Sequence, residues 1–300
     1  MDQISDTPDI FCSQFSQAAG IPLHGSATQA QVWILLEHSE KWPAQWLQGN
    51  TLPPSIQSWT HSLEEQIPNS RVAFIKKPKP NSSKVLFLAV TDPSEPRLYH
   101  FEWNDYNDLL RLDLLGVLNG NTSGSLVPNS LCCVCTHGLR DRCCAKFGLP
   151  VYSAFSSELE LDTWEITHLG GHRFAATAII FPSGIMYGYL TPQLAPIISE
   201  ATRNDSIHLP KYRGRSFYDG PTNAADYFLR KETQVMDNGF FQLVHTEPGV
   251  HRNSVTFSGG GIGHRIDLAA NRTLDLASCG KPKKPGVIYD LLNHETYELP

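Results

Sequence analysis

The order in which strand and helix patterns follow one another is the feature that most constrains this fold, because it occurs twice. In residues 1–120, an apolar run at 31–37 predicts a buried strand, and Pro53 and Pro54 open a helix. Asn104 is predicted to cap a further short helix. Between the two helices, strand patterns occur at 72–75, 85–90 and 98–103. The order is therefore strand, helix, strand, hairpin, helix.

Residues 121–207 repeat this order. A strand at 131–135 precedes a helix whose apolar face is Val151, Phe155 and Leu159. The remaining elements are a strand at 163–167, a hairpin at 174–181 and 185–190, and a helix that Thr191 and Pro192 open. This is the element order of the thioredoxin-like core. We therefore predict an α/β to α+β fold with two tandem thioredoxin-like halves.

The last third of the chain predicts a small α+β appendage. Residues 211–220 are interpreted as a polar linker, and a helix from Pro221 turns Ala225, Phe228 and Leu229 inward. Four short strands follow, at 240–245, 254–258, 265–268 and 273–277. The predicted division of the chain is thus into units at 1–120, 121–207 and 208–300.

Composition and charge exclude several classes of protein. Of the 300 residues, 41% are hydrophobic and 18% are charged, a globular balance that excludes wholesale disorder. The net charge is −6 and no long basic run occurs, so nucleic-acid binding through phosphate neutralisation is not expected.

The sequence predicts neither an export signal nor a membrane span. Three Asp residues precede the first cationic side chain, Lys41, whereas signal and transit peptides carry early positive charge. The longest apolar runs, at 85–90 and 174–181, are far shorter than the roughly 20 residues of a membrane-spanning helix. We therefore expect a cytoplasmic protein without a membrane partner.

The cysteines are clustered. Five of the seven fall in one short segment: Cys132, Cys133, Cys135, Cys143 and Cys144. In a reducing compartment, such clustering indicates metal or redox chemistry more than structural disulfides. The two outliers, Cys12 and Cys279, are interpreted as ordinary buried small residues.

A pair of histidines is predicted to lie beside the cysteine cluster. His168 and His172 flank a Gly-Gly pair just after the strand at 163–167, and the cysteines surround the end of the strand at 131–135. In this fold the loops after those two strands lie at the same end of the sheet. Thiolate and imidazole together suit iron–sulfur clusters or zinc, so we predict a metal centre here.

Two segments resemble the sucrase/ferredoxin-like family: CTHGLRDRCCAKFG, which begins at Cys135, and HLGGHRFAAT, which begins at His168. Looser similarity extends over residues 12–203. The family pattern has two cysteines nine apart and two histidines four apart. It implies one [2Fe–2S] cluster with the ligands Cys135, Cys144, His168 and His172.

The resemblance also implies an activity. A protein of this family is expected to be an electron carrier rather than a hydrolase, and an oxidoreductase if it is an enzyme. Its partners would be redox donor and acceptor proteins.

The residues themselves leave alternatives open. Cys133 shares a strand face with Cys135, so it should lie near the site, and Cys143 neighbours Cys144 and could replace it as a ligand. Further residues are expected around the ligands rather than among them: His137, Arg140 and Arg173.

Two other functions compete with a cluster. A zinc site is the first, because His-x3-His spacing is common where a helix presents both rings, although Gly170 and Gly171 make a helix costly here. Thiol–disulfide exchange is the second. Its one Cys-x-x-Cys pair, Cys132 with Cys135, lies within a strand and not at a helix N-terminus, where a thiolate would be stabilised. The iron–sulfur interpretation is preferred.

Neutral imidazoles in place of two thiolates remove negative charge from a cluster. We therefore expect a reduction potential above that of an all-cysteine ferredoxin. The second ring nitrogen of each histidine can take up a proton, so electron transfer is expected to be proton-coupled. Four cations lie near the site in the sequence: Arg140, Arg142, Lys146 and Arg173. They are interpreted either as a solvated rim or as groups that dock a partner or favour the reduced cluster.

Overall fold

The computed structural model describes residues 11–45, 51–78, 83–121, 124–158 and 161–299. The elements of the first predicted half are α1 (Cys12–Ala18), β1 (Val32–Glu37), α2 (Pro54–Gln66), β2 (Ser70–Lys76), β3 (Lys84–Val90), β4 (Arg97–Trp103), α3 (Tyr106–Leu110) and α4 (Leu114–Leu118). Those of the second are β5 (Ser125–Leu126), β6 (Leu131–Cys135), α5 (Arg142–Phe155), β7 (Asp162–Ile166), β8 (Ala178–Phe181), β9 (Ile185–Tyr187) and α6 (Ala195–Arg203). The last third contains β10 (Tyr212–Arg215), α7 (Gly220–Thr233), β11 (Gln242–Glu247), β12 (Arg252–Gly259), β13 (Ile262–Asp275) and β14 (Lys284–Glu298).

The two halves have the same strand topology. β1 pairs in parallel with β2 and antiparallel with β3, and β3 pairs with β4. β6 pairs in parallel with β7 and antiparallel with β8, and β8 pairs with β9. In each half the first strand thus lies between the second and the third, and the prediction of two tandem thioredoxin-like halves is confirmed.

One sheet joins the halves. Its strand order among the described residues is β10-β9-β8-β6-β7-β2-β1-β3-β4-β5. The join is made by β2 and β7, which are equivalent strands and run antiparallel, with Ile75 opposite Ile166. Antiparallel pairing of equivalent strands relates the halves by an approximate two-fold axis at this point.

Both faces of the central strands are buried. Trp33 and Leu35 of β1 lie in one core with Cys133 and Cys135 of β6, so this core crosses from one half to the other. The opposite face has a separate core in each half, and Cys132 lies in that of the second half. Side-chain alternation therefore puts Cys133 and Cys135 on one face of β6, as predicted, and Cys132 on the other.

The C-terminal region is a small α+β unit, as predicted. Its antiparallel sheet has the order β11-β12-β13-β14, and α7 packs against it. Ala225, Phe228 and Leu229 of α7 are buried there with Phe257 of β12 and Ile266 of β13.

Helix α5 begins earlier than the sequence pattern indicated. Its first residue is Arg142, so Cys143 and Cys144 lie in its first turn and not in the preceding loop. Asp141 caps it, and the Arg142, Cys143 and Cys144 that follow show no apolar periodicity that would mark a helix. Leu159, predicted on this helix, lies outside the described residues.

Two smaller predictions near the ends of elements are wrong. Asp105, and not Asn104, caps α3, because the Asp105 carboxylate accepts a hydrogen bond from Asn107 N. The strand predicted from residue 174 starts only at Ala178, because residues 172–174 turn through a 3-10 helix before the chain enters the sheet.

The last third differs most from the prediction. The expected linker at 211–220 contains β10, which adds an edge strand to the large sheet. The strand predicted at 265–268 and the first three residues of that predicted at 273–277 belong to one strand, β13, where a register shift at Asp267 and Leu268 interrupts the alternation. The partner strand β14 was not predicted at all, because most of its residues are exposed and it carries little apolar pattern.

None of the helices in the described ranges combines the length and the apolarity that crossing a lipid bilayer requires. Residues 1–10, whose acidic pattern entered the prediction on export signals, lie outside those ranges. The division of the chain at residues 120 and 207 stays a prediction.

Candidate metal centre

Strand β6 and helix α5 bring two thiols together. Cys135 is the last residue of β6, and α5 runs back past that end of the strand. Gly148 allows this close approach, because a Cβ at that position would lie 2.1 Å from the Cys135 carbonyl oxygen. The first turn of α5 then places the sulfur of Cys144 within 4.8 Å of that of Cys135.

Asp141 fixes the point at which α5 begins. Its carboxylate accepts a hydrogen bond of 2.9 Å from Cys143 N, as a helix cap does. Successive helical residues point about 100° apart, so Cys143 and Cys144 face different surroundings. Cys144 faces Cys135, whereas Cys143 belongs to a second group of thiols.

The two histidines lie on a left-handed glycine turn. Gly170 and Gly171 have φ angles of 84° and 69°, which favour glycine. They lie in the loop that follows β7, four and five residues after its last residue, Ile166. The turn brings the rings of His168 and His172 to a centroid distance of 4.7 Å. The histidines therefore do not share one face of an α-helix, as the Gly-Gly pair indicated.

Three of the four predicted ligands form one group. The sulfurs of Cys135 and Cys144 and a ring nitrogen of His168 all lie within 4.8 Å of one another. His172 lies beside the group, where its ring contacts that of His168. The fold thus brings together residues that are distant in the sequence. The loops after β6 and β7 meet at one end of the sheet, as the strand order predicted.

The imidazoles fit a metal bound at this place. The Nδ1 atoms of His168 and His172 are buried and have no hydrogen-bond partner among the described residues. A buried polar atom without a partner costs about 1–3 kcal/mol. A bond from each Nδ1 to a metal would remove that cost, and neutral imidazole with thiolate is a donor set that iron–sulfur clusters and zinc accept.

A hydrogen bond joins the two thiols. Cys144 hydrogen-bonds to Cys135 and so holds the pKa of the Cys135 thiol well below its ordinary value, and the His168 ring acts in the same direction. The same hydrogen bond, together with burial, raises the pKa of Cys144. Cys135 is therefore the thiol of the pair that loses its proton more readily, and Cys144 donates the hydrogen bond to it.

His172 is neutral at neutral pH. Burial, and then the nearby His168 ring, lower the pKa of His172 to about 4 against the opposing charge of Asp141. Its Nε2 lies 3.6 Å from Asp141 Oδ2, which leaves Nδ1 on the other side of the ring. A carboxylate facing the far nitrogen is the usual way in which a metal-binding histidine is oriented.

Three residues from outside the second half's loops hold the histidine loop in place. Arg71 donates to the carbonyl oxygen of His168 (2.8 Å), Thr28 to that of Leu169 (2.6 Å) and Arg213 to that of Gly170 (3.2 Å). They lie 97, 141 and 43 residues from their partners in the sequence. Sequence reasoning missed all three, because no local pattern marks such distant contacts.

Two of the residues weighed as alternative ligands are placed elsewhere. Cys133 is fully buried in the core that both halves share, and its sulfur belongs to neither thiol group. Cys143 points away from Cys135 into the second group.

Two of the residues predicted around the ligands, His137 and Arg173, have partners of their own. His137 Nε2 lies 3.0 Å from the carbonyl oxygen of Pro43, so this ring turns toward the first half. Arg173 forms an ion pair of 3.0 Å with Asp275. Arg140 is exposed just before the residue that caps α5.

A family model and two curated relatives match this chain. The model of the family described as sucrase/ferredoxin-like matches residues 23–214. Proteins named altered inheritance of mitochondria protein 32, from Debaryomyces hansenii and Meyerozyma guilliermondii, are 31% and 29% identical over 99 residues. The match covers 29% of this chain and 36% and 35% of the relatives, so it spans about a third of their length.

Two solved structures are also similar over a short part of the chain. They are a thioredoxin-like [2Fe–2S] ferredoxin from Aquifex aeolicus and a cysteine-to-serine variant of it. The variant has a TM-score of 0.26 and covers 29% of this chain and 99% of its own. The other has a TM-score of 0.28 and covers 31% and 98%, and the sequence identity is 14% for both.

Proposed function

The chain belongs to the sucrase/ferredoxin-like family, and on that premise we propose that it is an electron-transfer protein that binds one [2Fe–2S] cluster. The observation that carries the proposal is the convergence of Cys135, Cys144 and His168 on one point, with His172 beside them. These four residues would be the ligands, two through sulfur and two through the imidazole nitrogens that lack a partner.

The bound cluster would supply one-electron transfer. The protein's own part is to set the charge and the surroundings. Two neutral imidazoles give the site less negative charge than four thiolates would, so we propose a potential in or near the range of about −150 to +300 mV found for two-histidine centres, above the roughly −400 mV of plant-type ferredoxins. Cys135 and Cys144 are each only 1% exposed, which keeps water from the sulfur side.

The proposal extends to a proton at His172. Its Nε2 faces the buried carboxylate of Asp141, which can hold a proton on that nitrogen while Nδ1 binds the metal. We therefore propose that the midpoint potential falls as pH rises over the range in which this proton is lost. A potential that stays constant from mildly acidic to strongly alkaline pH would contradict proton coupling.

A docking rim for the redox donor or acceptor is proposed at the start of α5. Arg140, Arg142 and Lys146 are exposed there, within the segment that presents Cys144. A cationic rim suits an acidic partner protein, because complementary charge accelerates association.

The protein is proposed to work in a reducing compartment, the cytoplasm. All seven cysteines lie among the described residues and none of them forms a disulfide. Buried unbridged thiols of this number are typical of proteins kept under reducing conditions.

The test is anaerobic purification of the full chain, with analysis of iron, zinc and acid-labile sulfide and EPR after reduction by dithionite. We expect about two iron and two sulfide per chain and a rhombic signal. Zinc without sulfide in a protein that loses this zinc in Cys135→Ala would make the site a zinc site, contrary to the proposal. A protein without metal that cycles a disulfide between Cys135 and Cys144 would favour thiol–disulfide exchange.

The two neighbouring cysteines of α5 provide the sharpest control. Cys144→Ala should lower the iron and sulfide content by at least about tenfold, because it removes a direct ligand. Cys143→Ala changes the adjacent residue of the same helical turn and should leave the iron, the sulfide and the EPR signal intact. The reverse result would make Cys143 the ligand and contradict the geometry of α5.

A further inference from the structure

A second group of thiols meets on the other side of the α5 N-terminus. Cys12 begins α1, Cys143 lies in the first turn of α5, and Cys279 lies between β13 and β14. Their sulfurs form a nearly equilateral triangle, with separations of 3.4 Å (Cys12 to Cys143), 3.2 Å (Cys143 to Cys279) and 3.6 Å (Cys279 to Cys12). Nothing in the proposed electron transfer uses these three residues.

A carboxylate completes the group. Asp141 lies within 4.8 Å of all three sulfurs, and its oxygens are 3.9 and 4.0 Å from that of the Cys12 thiol. Asp141 also organises the other members, since it accepts hydrogen bonds of 2.9 Å from the backbone nitrogens of Cys143 and Cys279. The Asp141 carboxylate therefore holds the backbone of two of the three cysteines, Cys143 and Cys279, in place.

The spacing suits one small metal ion. A circle through the three sulfurs has a radius of about 2 Å, so a point about 2.3 Å from each of them, the zinc–sulfur bond length, exists just outside their plane. A carboxylate oxygen on the same side would complete a four-coordinate site. Three sulfurs and one oxygen suit zinc, whereas calcium and magnesium require oxygen ligands.

A disulfide describes this arrangement less well than a metal does. A disulfide joins two sulfurs and leaves the third without a role, but no pair here is clearly closer than the others. The site is also reachable, because Cys279 is partly exposed while Cys12 and Cys143 are fully buried.

We propose that Cys12, Cys143 and Cys279, with Asp141, bind one zinc ion at a site separate from the iron–sulfur ligands. Binding replaces three S–H bonds by zinc–sulfur bonds and releases the three protons to solvent. The ion would hold together α1, α5 and the loop before β14. In the sequence, Cys143 lies 131 residues from Cys12 and 136 residues from Cys279. Its position next to Asp141 also brings it close to His172.

The test uses the full chain, purified anaerobically and incubated with excess zinc before desalting. We expect about one tightly bound zinc per chain in addition to any iron. Cys12→Ala and Cys279→Ala should each lower that zinc at least about tenfold while leaving iron, acid-labile sulfide and the EPR signal unchanged. Cys132→Ala is the matched control, because Cys132 is as buried as Cys12 but lies in a separate core. The Cys132→Ala protein should retain zinc.

Replacement of zinc by Co²⁺ gives a second readout. Intense visible bands with a sulfur-to-metal charge-transfer band should appear in the wild-type protein and in Cys132→Ala, and be absent from Cys12→Ala. Zinc that binds equally well to Cys12→Ala and Cys132→Ala would overturn the proposal, as would a wild-type protein that binds none. A disulfide among the three cysteines, found by alkylation and mass spectrometry of the anaerobic protein, would also overturn it.

The two proposals fail independently. Zinc that depends on Cys12, in a protein without iron and sulfide, would leave the second site standing and remove the electron-transfer function. Iron and sulfide in a protein that binds no zinc would do the opposite.

Discussion

Strand β6 ends at Cys135, which pairs with Ile166 of β7, and strand β1 ends at Glu37, which pairs with Ile75 of β2. Ile75 and Ile166 face each other across the join between the halves, so the approximate two-fold axis places Glu37 where the second half has Cys135. Both side chains are buried. A comparison of these two strand ends shows what converts a structural half into one suited to a metal.

In the first half, the equivalent side chains interact with other parts of the protein. The Glu37 carboxylate accepts a hydrogen bond of 2.9 Å from Val85 N. Lys77, which stands where the second half has His168, pairs with Asp162 and lies over the Trp164 ring, both in the second half. These groups stabilise the sheet and the join between the halves, and they leave no set of soft donors.

The connection to the helix differs as well. α5 starts at Arg142, soon after Cys135, and its N-terminus therefore lies at the strand end. α2 starts only at Pro54, long after Glu37. A strand end becomes a metal-binding position only where a second element presents donors next to it, and in the second half the short connection does this.

The largest expected effect comes from the equivalent positions themselves. Cys135→Ala should lower iron and sulfide by at least about tenfold, because it removes the sulfur that both Cys144 and His168 approach. Glu37→Gln, the matched change in the first half, should leave both contents unchanged. Iron and sulfide analysis with EPR measures this. If both variants lost iron and sulfide equally, the strand end of the second half would not differ from that of the first in its role in metal binding.

A smaller effect is expected from a change in the glycine turn between His168 and His172. Gly170→Ala puts a Cβ 2.1 Å from Thr28 Oγ1 at a φ of 84°, so it should lower the free energy of unfolding by about 2–3 kcal/mol and reduce iron content several-fold. Gly261→Ala is the control, since its φ is 81° but nothing lies within 4 Å of the added Cβ.

We expect Gly261→Ala to cost about 1 kcal/mol, the backbone penalty alone, and to retain iron. Denaturant unfolding and metal analysis test both variants. Matching values for the two would show that contact with the first half through Thr28 does not position the histidine loop.

The smallest effect is expected on the thermal stability of the protein, from the buried carboxylate of Glu37. Burial raises the pKa of Glu37 above its ordinary 4.5, so the folded state favours the protonated form. The resulting stabilisation is complete below that ordinary value and is lost as pH rises through the folded-state pKa. Glu37→Gln, which stays neutral, should therefore raise the midpoint of thermal unfolding by about 2 °C at neutral pH, and by less in acid. Thermal melts at a series of pH values measure the difference, and one independent of pH would contradict the assignment.

The sequence predicted the repeated halves because each element has its own periodicity. The strands around Ile34 and Val134 are apolar runs, and the helix around Leu63 has one apolar face. Each of these patterns involves only residues that are close in the sequence, so a single sequence is enough to detect it. The same reasoning placed the cysteine and histidine loops at one end of the sheet, since parallel strands carry their ends to the same edge.

What the sequence did not predict depends on contacts between distant segments. The meeting of Cys12, Cys143 and Cys279, and the support of the histidine loop by Arg71 and Arg213, depend on how the first half and the last third pack against the second. No spacing or periodicity encodes those contacts. β14 was missed for a different reason: an exposed strand that is paired along one edge needs few apolar residues.

The antiparallel join between β2 and β7 has a consequence for any fragment of the chain. A second half produced alone would expose the backbone N–H and C=O groups of β7 that β2 now pairs. Since the join relates equivalent strands by a two-fold axis, that exposed edge is complementary to a second copy of itself. The isolated fragment is expected to form a homodimer through β7, with the four proposed cluster ligands present twice. In the intact chain the first half acts as a covalently attached subunit that occupies this edge, so that the proposed cluster site is present once.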